Sequence, residues 1–423
     1  GGGLTLRASN NGASTAYSGS LGGDGGLAKI GDGALTLSGS NAYTGPTAIE
    51  RGTLVAGSGH ALPAASVLHF GSTNRYLPVT TAGALDLNSA SATVAGLNVF
   101  VNSSATNSIA IGAGRSLQVD GSVFVGANSN TAQTTTILRV AGDGAFQVSG
   151  ADANFTLGGS TNNSGNAATL DMSGLATFSA DLGAGTLRVG DDPTPGAGSG
   201  STLILASNST IRANVVRTDG GAGNQSQDIR LGAGSNTIHA NTITIGMAST
   251  GRSNSKMSFN TGTGALQIRS TNGTGRANMT IGYGTYGTVF TTTADVDLDG
   301  HDADLRLGNL QIGGRTGAGG GAATVASLEF DAGALDASAI IVGDRAGSSG
   351  NTGLVRATLD LGGGTVTVGN SGMIVGRNTS TLSANSVSGV VSVAGSAVMT
   401  VGATGGTSIT LGSSANSGVA AYA

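Results

Sequence analysis

Residues Thr358 to Gly376 run TLDLGGGTVTVGNSGMIVG. Apolar residues fall in pairs: Leu359 and Leu361, Val366 and Val368, Met373 and Val375. Within a pair the spacing is two, which puts both side chains on one face of a strand. Successive pairs start seven residues apart, with Gly-rich or Gly/Ser/Asn stretches between them. The stretch therefore predicts three short strands joined by two tight corners, with three inward faces.

Working outward, the preceding unit repeats the pattern with Leu328 and Phe330, Leu335 and Ala337, Ile340 and Val342, ending at Gly343. Earlier still come Met257 and Phe259, Leu266 and Ile268, Met279 and Ile281, ending at Gly282. The ending, apolar-x-apolar-Gly, recurs at Gly126, Gly158, Gly190, Gly246, Gly282, Gly313, Gly343, Gly376 and Gly402, at spacings of 32, 32, 56, 36, 31, 30, 33 and 26. The spacing of 56 spans nearly two units with an insertion, and Leu203 to Leu205 and Ile229 to Leu231 supply further strands inside it. A fixed period of this size marks a stacked-repeat architecture. One unit cannot bury its own inward residues, but stacked units close an apolar column. The fold expected is all-β: a right-handed parallel β-helix, or β-solenoid, of roughly 13 three-strand rungs, each of about 30 residues and each rising about 4.8 Å.

Polar stretches follow the terminal glycines, as in 191–201, 345–353 and 377–386, and are expected to form variable loops at one corner. The core is expected to be aliphatic, with Phe124, Phe146, Phe155, Phe178, Phe259 and Phe330 as large fillers. The whole of 1–423 is expected to be one continuous solenoid, with regular rungs over 110–412 and a tail at 413–423. The chain opens on Gly1-Gly2-Gly3 without Met, inside what already resembles a repeat, so it is expected to be a piece of something longer.

Composition agrees with this pattern. Of 423 residues 76 are Gly, 5 are Pro and only 10% are charged, and mean hydropathy is +0.13. Disordered chains are more hydrophilic and more charged, and collagen would need a strict three-residue glycine period. Cys is absent, which excludes disulfides, thiolate metal sites and cysteine nucleophiles. A net charge of −4 with no basic arm gives no reason to expect nucleic acid, and no apolar span suggests membrane insertion by this chain.

Residues 25–57 read GGLAKIGDGALTLSGSNAYTGPTAIERGTLVAG. Gly25-Gly26-Leu27, Lys29-Ile30-Gly31-Asp32-Gly33, Leu35-Thr36-Leu37-Ser38-Gly39, Asn41-Ala42-Tyr43-Thr44-Gly45 and Gly52-Thr53-Leu54 together resemble the passenger-associated repeat of bacterial autotransporters. Residues 83–97 resemble the segment that often follows such a repeat, and 295–310 echo that segment loosely. The best match covers 25–97. The resemblance implies a β-helical passenger at a bacterial cell surface or outside the cell. An autotransporter passenger is expected to be followed by a membrane barrel, which 412–423 do not contain.

Candidate chemistry is sparse. The four histidines, His60, His69, His239 and His301, lack a Gly-x-Ser-x-Gly elbow nearby, so a Ser-His-Asp triad is not expected. Asp295, Asp297, Asp299, Asp302 and Asp304 form the densest polar run. Asp295-x-Asp297-x-Asp299-Gly300 opens like a calcium loop, but its twelfth position is Arg306 where Glu is required. The same span fits a strand with Val296 and Leu298 inward and the carboxylates in solvent, which is the preferred reading. A lyase-like set of Asp302, Asp304 and Arg306 is the remaining alternative. Arg139, Arg188, Arg230, Arg269 and Arg306 should point outward without forming one stripe, and the Asn-x-Ser/Thr sequons at Asn102, Asn154, Asn162, Asn208, Asn272, Asn278 and Asn378 are assigned no role. No catalytic, cofactor-binding or metal residue is assigned and no cofactor is expected. The function expected is a non-enzymatic structural or adhesive rod. Possible partners are host, matrix or glycan surfaces, and the alternative is a subunit of a homopolymeric filament or biofilm fibre stacked end to end.

Overall fold

The computed structural model describes residues 4–9, 12–74, 79–101, 103–126, 134–158, 166–190, 200–219, 226–248, 253–285, 291–316, 322–346, 353–380, 386–402, 408–414 and 420–422. The expected corner loops at 191–201, 345–353 and 377–386 fall largely outside these residues, as do Asn102 and Asn162. Contacts divide the chain into two units: Gly1–Arg188 with Ser199–Ile211, and Val189–Gly198 with Arg212–Ala423. The described residues contain strands and no helix, and the architecture is a parallel β-solenoid.

In the second unit three apolar columns run through parallel strands. Met257, Val296, Leu328 and Leu359 are register partners in turn. So are Ile238, Ile268, Leu305, Leu335 and Val366. The third column is Ile243, Met279, Leu310, Ile340 and Met373. All are buried, and each contributes about 1.5–3 kcal/mol on leaving water. The quoted stretch is one layer of this stack. Leu359 and Leu361 end the strand Gly353–Leu361, Val366 and Val368 lie on Thr365–Val368, and Met373 and Val375 lie on Met373–Asn378. The advance from one layer to the next varies with the corner, from 28 residues between Ser226 and Asn254 to 39 between Asn254 and Thr293.

The first unit is built likewise, with Leu35, Leu54, Leu85, Ile109 and Val140 in one column. Its opening layers are much shorter than the expected 30 residues. Leu27 lies opposite Thr47 and Leu35 opposite Leu54, advances of 20 and 19. The turns between their strands are only a few residues long, and a third small ladder pairs Gly22–Gly23 with Ala42–Tyr43.

All nine terminal glycines have positive φ, for example 79° at Gly246, 69° at Gly282 and 69° at Gly313, a region costly for any residue with a Cβ. They also mark a close approach that periodicity does not reveal. A Cβ on Gly246, Gly282 or Gly313 would lie 2.6, 2.8 or 2.8 Å from the Cβ of Ala294, Ala326 or Ala357. Those alanines are themselves register partners. A glycine column thus seats against an alanine column where two strand faces converge.

Two expectations are corrected. Gly402 is not the successor of Gly376. Val375 pairs with Leu411, so Gly412 takes that place, whereas Val368 pairs with Val401 and Gly402 follows the Gly369 corner. Phe146, Phe155, Phe178 and Phe330 fill the core, but Phe124 and Phe259 do not. Phe124 alternates outward between buried Val123 and Val125, with its ring 5.7 Å from that of Phe100. Phe259 is half-buried and stacks on His301 at 3.7 Å.

Candidate functional site: a carboxylate ladder beside a polar hollow

The strand Thr292–Asp297 turns Val296 inward and leaves Asp295 and Asp297 half-buried on the outer face, as period two requires. The five-carboxylate run does not stay together. Thr292–Asp297 pairs with Ala322–Phe330, while Asp302–Arg315 pairs with Ala332–Arg345 on a different ladder. Asp304 is held by Arg269. Arg306 Nη1 donates to the Thr274 carbonyl at 2.9 Å, and its Nε lies 3.9 Å from Asp336. The five carboxylates therefore do not surround one calcium ion, and Asp304 and Arg306 are each engaged with other partners.

Stacking instead brings together carboxylates remote in sequence. Asp297, Glu329 and Asp360 are successive register partners. Carboxylate oxygens of Asp297, Asp299 and Glu329 lie within 4.8 Å of one another. Lys256 reaches in from the neighbouring strand, 3.1 Å from both Asp295 and Asp297. Burial lowers the Lys256 pKa, but hydrogen bonds to Asp297 and Asp295 outweigh it and raise the ammonium's pKa overall. Asp299 is raised by burial and then by Asp331, Asp297, Asp360 and Asp295. Glu329 is raised by burial and then by Asp295, Asp297 and Asp299, with Lys256 opposing. This oxygen-only set has the chemistry to hold a hard divalent cation, and Lys256 already supplies part of the countercharge. Glu329, Asp360 and Lys256 had no sequence signal linking them to Asp297, because only the register reveals the neighbours.

Beside the ladder the same outer face carries a shallow hollow of about 310 Å³. One side is the column Ser226, Asn254, Thr293 and Val325, and the other is Asp228, Lys256, Asp295 and Ser327.

Each histidine has a local explanation. His60 is exposed in a turn. His69 is buried against Phe100, and burial pushes its pKa down to about 4 despite a hydrogen bond at the Ser72 backbone. His239 is lowered by burial, with Gln267 opposing and Arg269 and Arg212 adding to the effect. His301 Nδ1 lies 3.3 Å from the Gly264 carbonyl. Arg139, Arg230 and Arg306 are exposed and Arg188 and Arg269 half-buried, as alternation predicts. Arg315 and Arg345, which the alternation did not single out, are buried at 2% and 1% exposure. Arg345 Nη1 donates to the Arg315 and Ala346 carbonyls at 3.1 and 2.7 Å, closing a corner.

The autotransporter-like stretch is a second polar assembly, and it faces inward. Lys29 is fully buried, and its Nζ donates to the carbonyls of Gly31 at 2.6 Å and Arg51 at 3.1 Å, joining two layers. Burial lowers its pKa, opposed by Asp32 and aided by Arg51. Asn41 accepts from the Leu21 amide and donates to the Ala61 carbonyl, both at 2.9 Å, and so spans three layers. Tyr43 and Thr47 share a hydroxyl bond of 2.6 Å, Thr47 and Ser66 one of 2.9 Å, and Ser66 donates to the Gly45 carbonyl at 2.9 Å. Burial pushes the Tyr43 phenol up to about 12, with its Thr47 bond opposing. The polar letters of the motif are staples between layers.

The fold is a parallel β-solenoid, and these staples lie within one short stretch of it. Residues 27–56 match the family description passenger-associated-transport-repeat. That match supports an extracellular, surface-associated passenger domain. No curated protein and no solved structure matches the chain. Among the described residues no helix is long and apolar enough to cross a membrane.

Proposed function

We propose that this chain is a non-enzymatic structural and adhesive passenger, displaying the outer faces and corners of its solenoid at a bacterial surface. The observation that carries the reading is the stapled repeat at 27–56 feeding parallel ladders of the first unit. A scaffold of this type supports function through what it presents, because repeat loops vary while the ladders persist. The test is binding of purified 1–423 to host cells, matrix proteins and glycan-coated surfaces, with turnover assays on pectin and alginate. Saturable adherence without turnover is expected, and turnover of either polymer would overturn the reading.

A second reading, end-to-end assembly into a filament, has its own observation. Leu6, Ile409 and Leu411 are 52%, 51% and 65% exposed on strands that are paired on one side among the described residues, and Leu4, just before the first of them, is 90% exposed. Unpaired strand edges recruit further strands, and a heterologous contact gives open fibres. Electron microscopy decides: fibres with an axial repeat near one chain length support this reading, and dispersed particles remove it.

A further inference from the structure

We infer that the hollow between Asn254 and Asp295 is a binding subsite for a neutral, hydroxyl-rich ligand, one hexopyranose unit of a glycan. This rests on the adhesive reading above and names the partner's chemistry.

The argument starts from charge. Of the two carboxylates lining the hollow, Asp228 lies 3.4 Å from Arg230, and Asp295 shares Lys256 with Asp297, at 3.1 Å from each. The lining therefore carries strong polarity with little net charge. An anion would meet two carboxylates, and a bare cation would meet the Lys256 ammonium. A neutral polyol meets neither obstacle.

The polar atoms are also fixed before any ligand arrives. Ser226 Oγ donates to Asp228 at 2.6 Å, and Ser327 Oγ donates to Asp295 at 2.7 Å. Thr293 Oγ1 donates to Asn254 Oδ1 at 3.0 Å, which leaves the exposed Asn254 to present its amide N–H groups. Acceptors on Asp228 and Asp295 thus alternate with donors on Asn254 and Lys256 across neighbouring strands about 4.8 Å apart. A sugar hydroxyl both donates and accepts, so a row of hydroxyls fits alternating partners better than a single-sign ligand does. Groups already oriented lose less freedom on binding.

Val325 completes the match. It is 37% exposed at one end of the first column, an apolar spot among polar groups. A pyranose ring has an apolar C–H face beside its hydroxyl rim. The volume, about 310 Å³, sits at the lower end of the roughly 300–1,000 Å³ range for ligand sites. An open site of this size should bind one ring weakly, with Kd on the order of 1 mM, or about −4 kcal/mol.

The test uses full-length 1–423 on an array of neutral gluco-, galacto- and manno-oligosaccharides, with oligogalacturonate as the charged comparator and titration calorimetry on any hit. The expected result is saturable binding to at least one neutral oligosaccharide. It should be weakened tenfold or more by Asn254→Leu and by Val325→Asp, with circular dichroism unchanged. No binding to any neutral oligosaccharide, binding that both variants retain, or preference for oligogalacturonate would each overturn the inference. Adherence to cells and matrix is measured on the same proteins. Adherence unchanged in Asn254→Leu, with no neutral glycan bound, removes the subsite and leaves the adhesive reading standing. Glycan binding without adherence keeps the subsite and removes the adhesive reading.

Discussion

The layers at 26–56 and those at 322–378 solve one problem by different means. Both must hold successive layers in register at the corners, where the backbone ladder is interrupted. The short layers use buried side chains: Lys29, Asn41 and the Tyr43–Thr47–Ser66 chain bridge carbonyls and amides directly. The long layers use shape, seating a glycine column against an alanine column, and add the buried guanidinium of Arg345 at a corner. Staples permit a 20-residue layer with almost nothing at its corners. Seating by shape leaves the corner free to vary, because the contact lies inside.

The sharpest way to break this contrast is Gly313→Val. It forces a β-branched residue into φ 69° and pushes a Cβ toward Ala357. Destabilisation of the second unit by roughly 3–5 kcal/mol is expected in urea unfolding. Gly59→Leu, with open space around it, should change stability by less than about 1 kcal/mol. Equal effects at the two positions would remove the close approach as the reason for the glycine column.

Next in size is Lys29→Met, which keeps the stem and leaves the Gly31 and Arg51 carbonyls without their donor. A loss of about 2 kcal/mol is expected, read by hydrogen exchange as faster opening confined to residues 26–56. Uniform opening across the chain would show that the staples do not act locally.

Tyr43 gives the short layers an alkaline limit. Its folded pKa, about 12, lies above the ordinary 10.0. The folded state therefore holds its proton more tightly, and stability is complete below pH 10 and declines as pH rises toward 12. The contribution is on the order of 2–3 kcal/mol. Tyr43→Phe should flatten that decline in alkaline denaturation, and a slope unchanged from the parent would exclude Tyr43 as its cause.

How much of this was legible in the sequence depends on the distance over which each feature acts. Spacing-two pairs and terminal glycines are local, and the strands around 359–375 appeared where expected. The repeat at 27–56 was legible from its letters, although their role as staples was not. Neighbours across layers were hidden, because the advance varies from 19 to 39 residues with each corner. That is why Asp297 parted from Asp304 and met Glu329. It is also why Gly402, which carries the right local pattern, belongs to a different column.

The carboxylate ladder is a milder counterpart to Tyr43, with the same sign of pH dependence at a lower pH. Asp299 and Glu329 both titrate above their ordinary values of 3.8 and 4.5. Between those values and the raised ones the folded state binds more protons, so stability should rise as pH falls through that window. Thermal unfolding of Glu329→Gln should show a shallower acid-side rise. An unaltered profile would mean that repulsion in the ladder is already relieved.

The smallest expected effects are on the surface. Arg7 pairs with Glu50 at 2.7 Å but is 55% exposed, so Arg7→Ala should cost about 0.5 kcal/mol or less. Arg377 pairs with the less exposed Asp344 at 2.6 Å, and its pKa is raised chiefly by that hydrogen bond. Arg377→Ala should cost closer to about 1 kcal/mol in the same melt. The reverse order would show that exposure does not govern these pairs.

The glycine–alanine seat also bears on how such a chain changes length over generations. Gly246, Gly282 and Gly313 each sit against an alanine of a neighbouring turn, and Ala294, Ala326 and Ala357 recur once per turn. Duplicating or excising a whole turn restores the fit, whereas gaining or losing a fraction of one sets a large side chain against a glycine. Recombination is therefore filtered to integral copy number, while the corners between seats remain open to insertion.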